Sequence, residues 1–271
     1  MQRPLPSVER GDCSAFESRY RSKRPVILPC TIPENIEELL QAEDASLQEV
    51  DVLVSLDNRR FLKHELTRTV RTSLREGIRT ALSPTQTPTG FERRYLRQYL
   101  DSSAPASWVR AFEPCLGFLQ ETVSGVEFSR KNVGVWCSSG GSETPLHFDL
   151  CHGLLVQLRG EKTFTLAPPS DTPYMYWDHP KHQQTTSQNK TTSPIDLPLW
   201  LRGDPSQRQQ FPDTEYCAFS VAHLKPGDAL YTPPGWWHAV SSDSASGSVS
   251  LLAPWDPKED EETLPFNVLS V

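Results

Sequence analysis

His147, Asp149 and His238 are the residues of this chain best suited to do chemistry. The run Thr144-Pro145-Leu146-His147-Phe148-Asp149 sets a histidine and a carboxylate two residues apart, and Trp236-Trp237-His238 supplies a second histidine far downstream. On a β-strand, residues two apart point to the same face. His147 and Asp149 are therefore expected to project together, with His238 closing the set from a distant strand. Two imidazoles and one carboxylate on one face of an octahedral metal leave the opposite positions open, which suits Fe(II) and the activation of O2.

Each of these residues alone says little. A single histidine is more often packed or solvated than a ligand, and an isolated His-x-Asp recurs by chance. Specificity comes from the order around them. Thr-Pro precedes His147, Gly160-Glu161-Lys162 and Pro168-Pro169 follow, and Pro226-Gly227-Asp228 and Pro233-Pro234 lead into Trp236-Trp237-His238.

These residues need a β framework, and the chain offers one. From Asn132 onward the pattern is β: Val133–Trp136, the loop 138–141, Leu154–Leu158, Lys162–Leu166, a strand near Phe219, Ala229–Thr232 and Ser248–Leu252. Lys225-Pro226-Gly227-Asp228 fits a type II turn, with proline second and glycine third. Before this region, Phe16 and Tyr20 fall in an expected helix and Arg24–Leu28 in a short strand. Residues 33–43 read as a helix with proline near its start and acids in its first turn. Val50–Ser55 and Thr67–Thr72 alternate as strands. Ser73–Leu82 reads as a helix capped by Ser73, and Phe91–Leu100, carrying Tyr95 and Tyr99, as another. Residues 178–215, rich in Gln, Ser, Thr and Pro, read as a long irregular excursion, a kind of loop that is usually functional.

The 271 residues carry a net charge of −7. That balance argues weakly against a dedicated nucleic-acid binder. The exception is the Arg-rich segment 59–79, which reads either as a patch for an acidic partner such as tRNA or as an ordinary solvated face. No run approaches the roughly 18 apolar residues of a membrane span, and residues 1–24 lack the apolar centre of a signal peptide. Six scattered cysteines with no C-x-x-C pair suggest reduced thiols rather than a zinc ribbon or a disulfide framework. An intracellular protein, nuclear or cytoplasmic rather than secreted, is expected. The 24 prolines, roughly twice average usage, suit a turn-rich β fold. Asp256–Glu262 reads as a solvated acidic tail.

With these motifs the sequence resembles the JmjC (cupin-like) family of Fe(II)- and 2-oxoglutarate-dependent oxygenases, and within it the small hydroxylase branch. The likeness is strong over 132–255 and weaker but continuous from about 12 to 131, leaving one expected domain over 1–271. It implies a mainly β fold, a double-stranded β-helix or jelly roll with flanking N-terminal helices. It implies that His147, Asp149 and His238 hold iron and that Lys162 pairs with the distal carboxylate of 2-oxoglutarate. By the same likeness Thr144 and Tyr95 add hydroxyls to that carboxylate. A buried dicarboxylate needs such partners, because its burial is otherwise costly. The implied reaction hydroxylates a prime substrate with O2 and releases succinate and carbon dioxide. A protein or peptide side chain is the expected substrate, with tRNA or a methylated lysine as alternatives.

Two positions depart from the family pattern. Gly153 stands where asparagine is frequent, and Leu252-Ala253 where a polar residue is common. Both remove polar support from the pocket and favour a second reading, a non-catalytic cupin that binds a partner. The intact His-Asp-His set with Lys162 favours the oxygenase. A cupin isomerase or hydrolase using Zn or Mn is a third reading, disfavoured by the same lysine.

Overall fold

The computed structural model describes residues 7–61, 66–83, 85–87, 90–177, 191–243 and 247–257. Its first half interleaves helices with strands: α1 (Phe16–Arg19), β1 (Val26–Pro29), α2 (Ile36–Leu40), β2 (Glu49–Ser55), β3 (Thr67–Ser73), α3 (Leu74–Leu82), β4 (Thr85–Thr87), β5 (Gly90–Glu92), β6 (Arg94–Tyr99), α4 (Ala106–Ala111) and α5 (Glu113–Thr122). The second half is mostly strand: β7 (Gly134–Ser138), β8 (Glu143–His147), β9 (His152–Arg159), β10 (Lys162–Ala167), α6 (Leu197–Leu201), α7 (Pro205–Gln210), β11 (Ser220–Leu224), β12 (Asp228–Thr232), β13 (Trp237–Ser242) and β14 (Ser248–Trp255).

Two antiparallel sheets face each other as a jelly roll. The larger runs β1-β12-β9-β14-β7-β6-β2-β3 and the smaller β11-β10-β13-β8. Side-chain alternation sorts the layers. Leu154, Val156 and Leu158 of β9 and Val249, Leu251 and Ala253 of β14 join Phe16, Trp108, Phe112 and Leu119 in a core between the large sheet and the N-terminal helices. The intervening Leu155, with Leu230 and Ile27, meets Phe164, Leu166 and Ala222 of the small sheet inside the roll. Strands covered on both faces read as near-continuous apolar runs, and that is why β9 lacks a clean period of two.

Local chemistry sets several boundaries. Ser73 caps α3 by accepting from the Glu76 N–H at 3.3 Å, as expected of an N-cap serine. The Asp228 N–H donates to the Lys225 carbonyl at 3.0 Å, and Gly227 sits at φ +89°, which makes the expected type II turn. Among the described residues no helix is long and apolar enough to cross a membrane. All six cysteines are free.

The structure corrects the expectations for two segments. Residues 94–99 form a strand, not a helix, paired with β2 on one side and β7 on the other. Tyr95 and Tyr99 are four apart, which fits helix spacing, but they also share one face of a strand, while buried Leu96 and Gln98 take the other. The excursion 178–215 is not irregular where it is described. It contains α6 and α7, each capped by an aspartate and each with proline in its first turn. Residues 178–190, and most of the acidic tail, lie outside the described residues. Helices α4 and α5 were not expected from the sequence, although Pro105 and Pro114 mark their starts.

Candidate metal centre

His147 ends β8 and His238 is the second residue of β13, and these neighbouring strands make the two residues direct partners. The register slips between His238 and Val240. Pro145 lies inside this slip, where its missing N–H loosens the ladder, and such irregularities re-aim side chains. The ring centroids stand 4.1 Å apart. Asp149 is not on the strand as expected but two residues past its end. Its backbone is held there by the Gly235 N–H, which donates to the Asp149 carbonyl at 2.8 Å. Asp149 Oδ2 lies 3.7 Å from His238 Nε2, and one ligand atom from each of the three residues falls within 4.8 Å of the others.

The histidines are oriented for a metal. His147 Nδ1 faces the Pro145 carbonyl at 2.8 Å and His238 Nδ1 faces the Trp236 carbonyl at 2.9 Å. A carbonyl can only accept, so each Nδ1 carries the proton and each Nε2 keeps its lone pair, the arrangement seen in metal-ligating histidines. Burial first, and then His147, lowers the pKa of His238 to about 4. It is a neutral donor at neutral pH. Two imidazoles that present Nε2, together with a carboxylate, suit Fe(II).

The three residues line one pocket of about 80 Å³ with Tyr95, Thr144 and Lys162, walled by Leu155, Phe164, Leu230, Val240 and Leu252. All six residues singled out from the sequence are thus brought together. Lys162 is 4% exposed. Its Nζ donates to Ser250 Oγ at 2.8 Å, and no carboxylate pairs with it among the described residues. Burial lowers its pKa to about 8. A buried ammonium without a counter-ion is costly, so the pocket suits an anionic ligand. Tyr95 packs between Phe61 and Trp136, and burial pushes its phenol above the usual range. Gly153 and Leu252 make the adjoining wall apolar. A larger concavity of about 990 Å³ shares no lining residue with this pocket and, among the described residues, gathers no metal-ligating cluster.

The excursion returns beside the site. Phe148 N–H donates to the Thr191 carbonyl at 3.1 Å and Ser193 N–H to the Leu146 carbonyl at 2.9 Å, so residues 191–193 run along the strand that carries His147. Asp196 then caps α6 and pairs with Arg59, which also reaches Glu143 of β8 at 3.3 Å. Asp196→Ala should cost about 2 kcal/mol of stability, roughly one for the cap and one for a partly exposed ion pair. Chemical denaturation would read this loss, and an unchanged midpoint would refute the stabilising role of Asp196.

The Arg-rich segment is not a bare cationic face. Arg60 pairs with Asp57, Arg68 with Glu92, Arg71 with Asp51 and Arg79 with Glu76. Lys63 lies outside the described residues. Neither Ser250 nor the Arg59–Asp196 pair was expected from the sequence. Alternation in Ser248-Val249-Ser250-Leu251-Leu252 does put Ser250 on the face of Leu252, but nothing local aims it at Lys162.

Residues 31–261 match the family described as a cupin-like domain. A Jumonji C domain-containing protein 5 of Drosophila melanogaster is 36% identical over 120 residues, 44% of this chain and 27% of that protein. A lysine-specific demethylase of Arabidopsis thaliana, JMJ30, is 32% identical over 133 residues, 49% of this chain and 28% of that one. The matched segment thus spans little more than a quarter of either relative. The solved structure of ycfD from E. coli covers 92% of this chain and 54% of its own, at 14% identity and a TM-score of 0.45.

Proposed function

Because the chain belongs to the cupin-like JmjC family, whose members are generally 2-oxoglutarate-dependent oxygenases, we propose that it hydroxylates a protein side chain using Fe(II), O2 and 2-oxoglutarate. The observation that carries this reading is the meeting of His147, Asp149 and His238 with an uncompensated buried ammonium, Lys162, in one pocket. When bound, Fe(II) and 2-oxoglutarate supply the difficult chemistry: O2 is consumed, 2-oxoglutarate leaves as succinate and carbon dioxide, and one C–H bond of the substrate becomes C–OH.

The residues supply position and environment. His147 and His238 offer Nε2 and Asp149 a carboxylate oxygen to the metal. Lys162 neutralises the distal carboxylate of the cosubstrate, and the hydroxyls of Thr144 and Tyr95 donate to it. Leu155, Phe164, Leu230 and Val240 exclude water from its carbon chain. Asp149, with its side chain 54% exposed, marks the open side from which a substrate side chain enters. The name of the Arabidopsis relative adds a second substrate class, methylated lysine. Hydroxylation of its N-methyl carbon would release formaldehyde.

The test is succinate release by the iron-loaded protein with 2-oxoglutarate, with and without a peptide pool, followed by mass analysis of the peptides. Succinate formation that needs iron and rises with substrate is expected. A gained oxygen atom indicates hydroxylation, and a lost methyl group with formaldehyde indicates demethylation. Absence of succinate under every condition, with iron bound, would leave the partner-binding cupin as the reading.

A further inference from the structure

Beyond Lys162 the roll does not end in an apolar plug. Ser138 of β7, Ser242 of β13, Ser248 and Ser250 of β14 and Gln157 of β9 are all at most 3% exposed. Pairing puts them in one layer: Ser248 lies opposite Ser138, Ser250 opposite Gln157, and Lys162 opposite Ser242. Ser138 and Ser242 share a hydrogen bond of 2.7 Å, and Gln157 Nε2 donates to Ser248 Oγ at 2.8 Å. Gln157 Oε1 is buried with no partner among the described residues.

Such a layer is costly to bury wherever one of its groups lacks a hydrogen-bond partner. The charged group that meets this layer is the Lys162 ammonium, which donates to Ser250 Oγ from a strand position opposite Ser242. The pocket wall nearer the metal is apolar at Gly153 and Leu252, so support for the cation comes from this deeper layer. The Cys137 thiol of β7 is a group whose charge would act on Lys162, and Tyr95, Cys151, His147, Asp149 and His238 line the same pocket. Among the described residues Nζ donates to Ser250 Oγ rather than to any of these.

We propose that Ser250 is a positioning residue, which fixes the Lys162 ammonium for an anionic ligand and takes over the polar support that Gly153 and Leu252 do not give. The ligand named, 2-oxoglutarate, rests on the proposed function, but the Ser250–Lys162 pairing does not. Ser250 Oγ accepts one ammonium proton and leaves the other two for the ligand carboxylate. Because it accepts from the charged form, it favours that form.

Two measurements separate the two claims. The first follows the Lys162 titration by NMR of side-chain-labelled lysine, without 2-oxoglutarate, in wild type, Ser250→Ala and Ser250→Thr. Ser250→Ala should titrate at lower pH, and Ser250→Thr, which keeps the hydroxyl, should return toward wild type. The second is calorimetry of 2-oxoglutarate with the metal-loaded protein. Ser250→Ala should weaken binding about tenfold, the effect of one hydrogen bond to a charged group, while Fe(II) affinity is unchanged. In a Lys162→Met background the same change should cost nothing further. An unmoved lysine titration, or an equal loss of affinity in both backgrounds, overturns the role of Ser250. Wild type that binds no 2-oxoglutarate, with the lysine titration shifted as expected, refutes the cosubstrate and leaves the positioning intact.

Discussion

Lys162→Met should give a protein that is more stable and nearly unable to bind 2-oxoglutarate. Burial moves the Lys162 pKa from an ordinary 10.5 to about 8. At neutral pH the native state therefore holds a charge it disfavours. A tenfold change in proton affinity corresponds to about 1.36 kcal/mol, so the penalty is on the order of 3 kcal/mol at most. Methionine fills similar volume without charge. It leaves Ser250 without a donor, at a cost of about 1–2 kcal/mol. The net gain of about 1–2 kcal/mol corresponds to a rise of several degrees in the melting temperature of a chain this size. The sign of the pH dependence is a second check. Between about pH 8 and 10.5 the unfolded lysine holds its proton while the native one has released it, so wild-type stability rises with pH across that window. The variant lacks this rise, and its advantage should shrink there. Ligand binding moves the other way. Removing the partner of a buried carboxylate costs about 3–5 kcal/mol, or roughly two to four powers of ten in affinity. In wild type, affinity should be level below about pH 8 and fall above it as the ammonium is lost. A destabilised Lys162→Met protein that binds 2-oxoglutarate normally would contradict both the burial penalty and the assigned role.

What the sequence revealed and what it hid follow from range. His147 and His238 could be paired from the sequence because each closes a recognisable local run, and the chain places those runs on adjacent strands. Turn chemistry was equally local: Pro226-Gly227 specifies its own conformation. Residues 91–100 suggested a helix because their aromatic spacing suits both a helix and one face of a strand. Pairing with β2 and β7 decides between them, and those partners are remote in sequence. Ser250 and Lys162 are separated by 88 positions, and nothing short-range announces their contact. The Arg-rich run stayed open between a patch and a solvated face because some of its carboxylate partners, Glu92 and Asp51, come from other elements. In the excursion, composition obscured two short helices whose capping aspartates, Asp196 and Asp204, were visible as residue types.

Loss of iron should separate from loss of stability in a defined order across the three ligands. Asp149 makes its structural bond through the backbone, to Gly235, and its side chain is 54% exposed. Asp149→Asn or Asp149→Ala should therefore leave the metal-free protein within about 0.5 kcal/mol of wild type. His147 and His238 are 9% and 6% exposed and each is hydrogen-bonded to a carbonyl. Alanine at either should cost about 1–3 kcal/mol through the lost packing and the orphaned acceptor. Iron binding responds differently, because all three positions supply a donor. Wild type should take up about one Fe(II) per chain under anaerobic conditions, with stabilisation by mass action of about 2.7 kcal/mol at one hundred times the dissociation constant. Each single variant should lose that thermal shift, Asp149→Ala as completely as His147→Ala. The pairing of an intact metal-free melting temperature with an abolished iron response at Asp149 is the result a merely structural carboxylate could not produce. Stoichiometric iron in a His147→Ala/His238→Ala double variant, measured by metal analysis after desalting, would put the metal elsewhere in the molecule.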